Sequence, residues 1–322
     1  MSIINYLMML GNIKIGSILK PETGFRRIIP DDISIPTTAV LEPSVVVNGD
    51  ILETYFTGSI GESDHKIYRA TGDTALGDWV FNLTPLIGMG YGGAPANRQA
   101  HSSVVFKADG FYYCFATNGY GFGAVGEDRN TYLYKSIDGV TFTDLGLAID
   151  KTSIPNCVGI GNVSIYPQKV NGKYELLVDA FVNDLWRVYR FQSDNIETGW
   201  VYTNAITSLQ VNNRGMYGGM QNIYMNGKWH IFYHYGVSII NLPTVLGYAI
   251  SEDLITTQVK ESPMLGIEYP VYGELTDQLA DPWIFEYKGK TYMLAEYCKN
   301  VGGFESETWI WEYNGTLNTI LK

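Results

Sequence analysis

Apolar positions along this chain fall in short runs rather than at helical spacing, and the runs recur in a fixed order. A short apolar strand is followed by a polar turn carrying glycine, then by an aromatic-rich strand, then by a third strand that ends in a polar turn. The glycine turns are Asn48-Gly49 before ILETYFTG, Asp109-Gly110 before FYYCFAT, Asn171-Gly172 before KYELLVDA, Asn226-Gly227 before KWHIFYH and Lys288-Gly289 before KTYMLAEY. Their glycines lie 61, 62, 55 and 62 residues apart. Asn-Gly and Asp-Gly supply the positive φ that short hairpin loops need. The first strands read SVVV, SSVVF, VSIYPQKV, NIYM and WIFEY, and the third strands read KIYRAT, TYLYKS, WRVYRF, LGYAIS and TWIWEY. Polar turns at Gly72-Asp73, Asp138-Gly139, Asp194-Asn195 and Glu252-Asp253 lead into a fourth edge strand such as VTFTDL or ITTQV.

A meander of three or four strands cannot bury both of its faces alone, whereas five arranged radially pack sheet on sheet and leave short, protected edges. The fold class read from the repeat is all-β, a single five-bladed β-propeller over residues 38–322. Its inner strands are expected to begin near Pro43, Ser102, Val163, Asn222 and Pro282. Residues 1–37 lie outside the repeat and leave two readings open. The stretch NIKIGSILK closes the ring by adding a strand to the last blade, or the segment attaches the chain to a protein partner.

Composition narrows the partner. The net charge is -11, with 22 Lys plus Arg and no basic run, which opposes a nucleic-acid or anionic-membrane surface and fits a neutral or weakly charged ligand. Cys114, Cys157 and Cys298 have neither metal spacing nor the even count of a disulfide framework, and the two that fall inside strand-like aromatic runs read as small buried apolar residues. Met1 to Leu10 has no basic n-region, and no apolar run is long enough to span a bilayer, so neither a signal peptide nor a transmembrane segment is expected. A cytoplasmic or virion-associated location is compatible with that. The glycine-rich stretches Met89-Gly90-Tyr91-Gly92-Gly93 and Asn118-Gly119-Tyr120-Gly121-Phe122-Gly123 lack the Lys-Ser/Thr pair of a phosphate loop, and no cofactor or metal is expected.

Three motifs carry a family resemblance: Ala280-Asp281-Pro282-Trp283 with IFEYKGKTYML, Glu42-Pro43-Ser44 with VVVNGDILETYFTG, and Ser136-Ile137-Asp138-Gly139-Val140-Thr141-Phe142. Over most of its length the chain resembles the five-bladed propellers of the glycoside hydrolase family 43 and family 32/68 group. The resemblance implies a glycan-facing pocket at the funnel mouth and a pair of carboxyl groups, one protonated and one ionised. Family 43 members place a base Asp on blade one, a pKa-tuning Asp on blade three and an acid Glu on blade four, each at the start of the inner strand. Matching positions here hold Glu42, Asn162 and Gly219, so the tuning and acid carboxylates are replaced.

The ring of inner-strand starts reads Glu42, His101, Asn162, Gln221 and Asp281. Taken functionally, Glu42 and Asp281 are a displaced catalytic carboxylate pair, His101 is a proton carrier or sugar donor, and Asn162 and Gln221 bind sugar hydroxyls. Taken structurally, the acidic residues cap backbone amides, His101 is a hydrogen-bonded core histidine, and the two amides satisfy backbone groups. Tyr91 and Tyr120 sit in loops where rings can stack on sugar faces. Arg98, Arg129 and Arg214 would suit an acidic sugar or are solvated. The function implied is a carbohydrate-recognising propeller, with hydrolysis left open. The alternative is a structural or receptor-binding propeller on a larger assembly, such as a virus tail or surface-attachment protein.

Overall fold

A computed structural model of the chain describes residues 26–27, 39–59, 64–77, 79–119, 128–206, 209, 217–236, 244–260, 278–298 and 306–321. These residues form five four-stranded antiparallel sheets, the blades of one propeller. Blade one comprises β2 (Ala39–Asn48), β3 (Ile51–Ser59), β4 (Lys66–Gly72) and β5 (Val80–Ile87). Blade two comprises β6 (His101–Ala108), β7 (Phe111–Thr117), β8 (Thr131–Ser136) and β9 (Phe142–Ile149). Blade three holds β10 (Cys157–Val170), β11 (Lys173–Val182), β12 (Leu185–Ser193) and β13 (Val201–Ala205), and blade four holds β14 (Tyr217–Met225), β15 (Lys228–Gly236), β16 (Thr244–Ser251) and β17 (Thr257–Lys260). Blade five is built from β18 (Gln278–Tyr287), β19 (Lys290–Cys298) and β20 (Ser306–Tyr313), with β1 (Arg26–Arg27) as its fourth strand.

β1 pairs antiparallel with β20, Arg26 opposite Ile310 and Arg27 opposite Trp309, so a piece of the N-terminal segment covers the outer edge of the last blade. The stretch NIKIGSILK lies outside the described residues. Among the described residues the longest helix is the four-residue α1, Leu317–Ile320, and no helix is long and apolar enough to cross a membrane.

The inner strands of blades one, three, four and five start several residues earlier than the sequence indicated, at Ala39, Cys157, Tyr217 and Gln278. The reason is a β-bulge in each inner strand. Pairing with the middle strand resumes on the N-terminal side of the interruption, so the acidic-Pro motifs lie inside strands rather than at their starts.

Neighbouring blades are joined by five hydrophobic clusters, one at each interface. Consecutive residues serve opposite interfaces. Val45 packs toward blade five and its neighbour Val46 toward blade two. Likewise Leu176 faces blade two and Leu177 faces blade four. Burial of both faces explains why inner and middle strands read as continuous apolar runs. Between its two buried ends the outer strand β9 alternates exposed and half-buried positions, as expected of an edge with one wet face.

Side chains of one blade also bind the inner-strand backbone of the next. The Val105 and Asn222 N–H groups donate to Ser44 Oγ and Ser164 Oγ, each at 3.0 Å. Gln221 brackets Ile284, accepting its N–H at 2.6 Å and donating to its carbonyl at 2.9 Å. Thr308 donates to the Val40 carbonyl at 3.3 Å and joins the last blade to the first. Such bonds satisfy backbone groups that the clusters bury.

Candidate functional site

All five inner strands lose register with their middle strands at the same level: between Leu41 and Ser44, His101 and Val104, Ile160 and Val163, Gly218 and Gln221, and Ala280 and Trp283. The first bulged residue takes positive φ in four blades: Glu42 at 54°, Ser102 at 52°, Gly219 at 51° and Asp281 at 49°. Left-handed backbone at a non-glycine residue is uncommon and is held here by the surrounding sheet. Pro43 and Pro282 occupy the second bulge position, where a missing N–H leaves no ladder bond unmade.

The bulges of four blades, with Asn162 from blade three, line a shallow central depression. Trp283 lines it as well, and its ring packs against both the cluster between blades two and three and the cluster between blades five and one, across the ring axis.

Register places Ser102 and Gly219, not His101 and Gln221, at the positions equivalent to Glu42 and Asp281. Glu42, Asn162 and Asp281 line the depression. His101 sits behind Glu42, and the amide of Gln221 is engaged by Ile284 between blades four and five.

Glu42 is 7% exposed. Its Oε2 accepts from Thr57 Oγ1 at 2.8 Å and from the Ser102 N–H at 2.5 Å, and its Oε1 accepts from Ser102 Oγ at 2.9 Å. Burial, and next the charge of Asp281, push the carboxyl up to about 8. His101 Nε2 stands 3.2 Å from Oε1. Burial, with His65 and Arg129 nearby, holds this imidazole well below its ordinary value, so the contact joins two neutral groups rather than an ion pair.

A second buried carboxyl, Asp179 of β11, was not among the residues singled out in the sequence. Its Oδ1 accepts the Asn162 N–H at 2.6 Å, and its Oδ2 accepts the Gly219 N–H at 3.1 Å and Asn162 Nδ2 at 3.2 Å. Burial pushes it up to about 7, against the stabilising charge of His234 and the two backbone bonds. Asn162 Nδ2 also reaches Asp281 Oδ1 at 3.3 Å, so one amide bridges the two aspartates.

Three glycines make room for these carboxylates. Side chains at Gly161 and Gly218 would run into Asp179 Oδ1 and Oδ2, and one at Gly219 would run into Asp281 Oδ1. Blade three thus supplies its carboxyl from the middle strand instead of from Asn162, and the side-chain space at Gly219 is filled from blade five.

His234 of β15 lies against the same gap. The Asp281 N–H donates to its Nδ1 at 3.2 Å, and Asp281 Oδ1 is 3.4 Å away. A signal for both missed residues does exist in the sequence. Thr57, Thr117, Asp179, His234 and Glu296 are each the seventh residue of a middle strand, and three of them are ionisable.

The remaining candidates lie elsewhere. Tyr91 is 42% exposed in the loop between β5 and β6. Arg98 is ion-paired with Asp144 of β9 and stacks 3.8 Å over the Tyr132 ring, away from the residues that line the depression. Arg129 is buried beside Gly159, donates to the Gly119 carbonyl at 3.1 Å and lies over Trp186. Tyr120 and Arg214 fall outside the described residues. Among the described residues no group of three or more His, Cys, Asp and Glu is arranged to hold a metal ion.

No protein-family model matches the sequence, and no curated protein matches it. Solved structures do match. A complex of BT0996 with RGII superposes with a TM-score of 0.73 at 16% identity, over 91% of this chain and 92% of that one. The Bombyx mori GH32 beta-fructofuranosidase matches with a TM-score of 0.65 at 13% identity, over 91% of this chain and 63% of its own. An alpha-L-arabinofuranosidase of family 43 from Clostridium thermocellum matches with a TM-score of 0.58 at 14% identity, over 81% of this chain and 83% of its own. At these identities the likeness is one of fold, and the chain is a five-bladed β-propeller of the kind seen in solved glycoside hydrolases of families 43 and 32.

Proposed function

We propose that the central depression binds a neutral oligosaccharide through Asp281 and Asn162, with hydrolysis weak or absent. The observation that carries this reading is the saturation of two of the three carboxyls. Both oxygens of Glu42 are taken up by Thr57 and Ser102, and both oxygens of Asp179 by Asn162 and Gly219. Asp281 is the most open of the three, in the lining of the depression. The Asn162 amide N–H groups are given to Asp179 and Asp281, so the Asp281 carboxylate and the Asn162 amide carbonyl stand side by side as acceptors for sugar hydroxyls, and the charge-assisted bonds to the carboxylate are the stronger ones. The neighbours described as glycoside hydrolases and as an RGII complex support a glycan as the ligand class. Gly219 stands where those hydrolases are expected to carry their proton donor, and loss of a general acid removes about two to four orders of magnitude in rate.

One observation favours a second reading. Glu42 is held protonated near neutrality beside Asp281, which is the pairing a relocated acid and base would need. Screening the protein on a glycan array, measuring affinity for each hit by calorimetry and analysing products after long incubation separates the two. Binding without turnover is expected. Robust turnover abolished by Glu42→Gln or Asp281→Asn would replace the binding reading with hydrolysis, and neither binding nor turnover would overturn both.

A further inference from the structure

Of the polar side chains that line the depression, Glu42, Ser102, Asn162 and Asp281 already have partners in the protein. Glu42 accepts from Thr57 and Ser102, and Asn162 donates to Asp281. Ser103 differs from them. This residue is 6% exposed, and its Oγ is buried without a hydrogen-bond partner among the described residues. A buried hydroxyl left unpaired is destabilising, and such groups are uncommon in folded proteins.

The fold does not call for a serine at this place. Ser103 is the second residue of its bulge, in the break of register between His101 and Val104. Equivalent positions hold Pro43 in blade one, Asn162 in blade three, Met220 in blade four and Pro282 in blade five, and all of them line the depression. Proline in two of the blades shows that the position makes no ladder bond. Pro43, Met220 and Pro282 offer apolar surface only, so Ser103 and Asn162, on neighbouring blades, are the polar side chains at this level. The Trp283 ring reaches from blade five to the cluster that contains Val104 and Val163, the residues that follow Ser103 and Asn162. An aromatic surface with a hydroxyl on blade two and a carboxylate on blade five suits a sugar ring, whose faces are apolar C–H groups and whose edge carries hydroxyls.

We propose that Ser103 is a specificity-determining contact of the depression, binding one hydroxyl of the sugar unit whose other hydroxyl is held by Asp281. This inference rests on the glycan reading of the depression and adds to it a second anchoring point, on blade two. Both anchors are short side chains on bulged inner strands, so the ring of blades fixes their separation. A serine hydroxyl both donates and accepts, and it meets a sugar hydroxyl in either sense. A sugar that lacks that hydroxyl leaves Ser103 Oγ unpaired inside the complex, and sites with an unpaired buried polar group reject such analogues.

Ser103→Ala separates a ligand contact from a hydroxyl bonded within the fold. The variant removes an unpaired buried group, so its melting temperature should match the wild type or exceed it by up to about 3 °C. Its affinity for the tightest-binding oligosaccharide of the array should fall about three- to tenfold. Calorimetry with monodeoxy analogues of that oligosaccharide gives a second readout. Among the analogues that the wild type binds about three- to tenfold more weakly, one should bind Ser103→Ala as tightly as the parent sugar does. A lower melting temperature would show that the hydroxyl is bonded within the fold, and an unchanged affinity would show that the sugar does not reach it. Either result overturns the role of Ser103 while leaving glycan binding intact. A wild type that binds no oligosaccharide would overturn the reading of the depression, and the role of Ser103 with it.

Discussion

Asp281 and Gly219 share one space: Oδ1 of Asp281, on blade five, occupies the volume that a side chain at Gly219, on blade four, would need. The blade-four position that lacks a carboxylate and the blade-five position that has one are thus a single structural exchange. His234 fills the remaining side of that space, so the carboxylate is held between a neighbouring backbone and an imidazole.

Gly219→Ala tests this exchange. The residue has φ of 51°, where a Cβ adds about 1 kcal/mol of strain, and the new methyl would displace Asp281 and His234 at a further cost of about 1–3 kcal/mol. Thermal melting should fall by several degrees, and glycan affinity should fall with it. An unchanged melting temperature would mean that Asp281 is not seated against Gly219.

Stability should decrease as the pH rises from about 6.5 to about 8. Glu42 is pushed up to about 8 and Asp179 to about 7, so each folded carboxyl keeps a proton that its unfolded counterpart has lost. Their stabilising contributions are complete below the ordinary carboxylate range and disappear as the pH passes through the raised values, by at most about 1.4 kcal/mol per pH unit for each group. His101 is shifted the opposite way and weakens the fold below about pH 6.5, which is why the upper window is the informative one. Urea midpoints across that window should drop for the wild type and drop less for Glu42→Gln. Equal slopes for the two proteins would show that Glu42 does not hold its proton in the fold.

For Asp281→Asn we expect glycan affinity to fall by about ten- to a hundredfold, the worth of a hydrogen bond to a charged acceptor. Glu42→Gln should change affinity by less than about threefold, because both oxygens of Glu42 already bind protein groups. Isothermal titration of both variants with the same oligosaccharide gives the comparison. The reverse order would move the ligand to the Glu42 side of the depression.

Gln221→Leu should behave in the opposite way. It leaves the N–H and carbonyl of Ile284 without their side-chain partners, at a cost of about 1–3 kcal/mol, while the lining of the depression stays intact. A lower melting temperature with unchanged glycan affinity is expected. A large loss of affinity at an unchanged melting temperature would make Gln221 a ligand contact.

The number of blades was legible in the chain itself, because each hairpin needs its own turn chemistry and the spacing of those turns is a local property. Three of the four later glycine turns take positive φ at an Asn or Asp before the glycine, and the fourth does so at Lys288. The acidic-Pro motifs likewise marked where Glu42 and Asp281 enter the centre. Sequence alone could not say which strand supplies each remaining carboxyl, since the ring of inner-strand positions assumes that neighbouring blades contribute equivalent residues. At blade three the inner position holds Asn162 and the carboxyl comes from Asp179, which is visible only once β10 and β11 are paired through a bulge. At blade four the decisive feature is a missing side chain at Gly219, and its meaning depends on a carboxylate 62 residues later in the chain. Turns and strand runs are set by neighbours in sequence, whereas the charge and hydrogen bonding of the central site are set by which bulges meet across the ring.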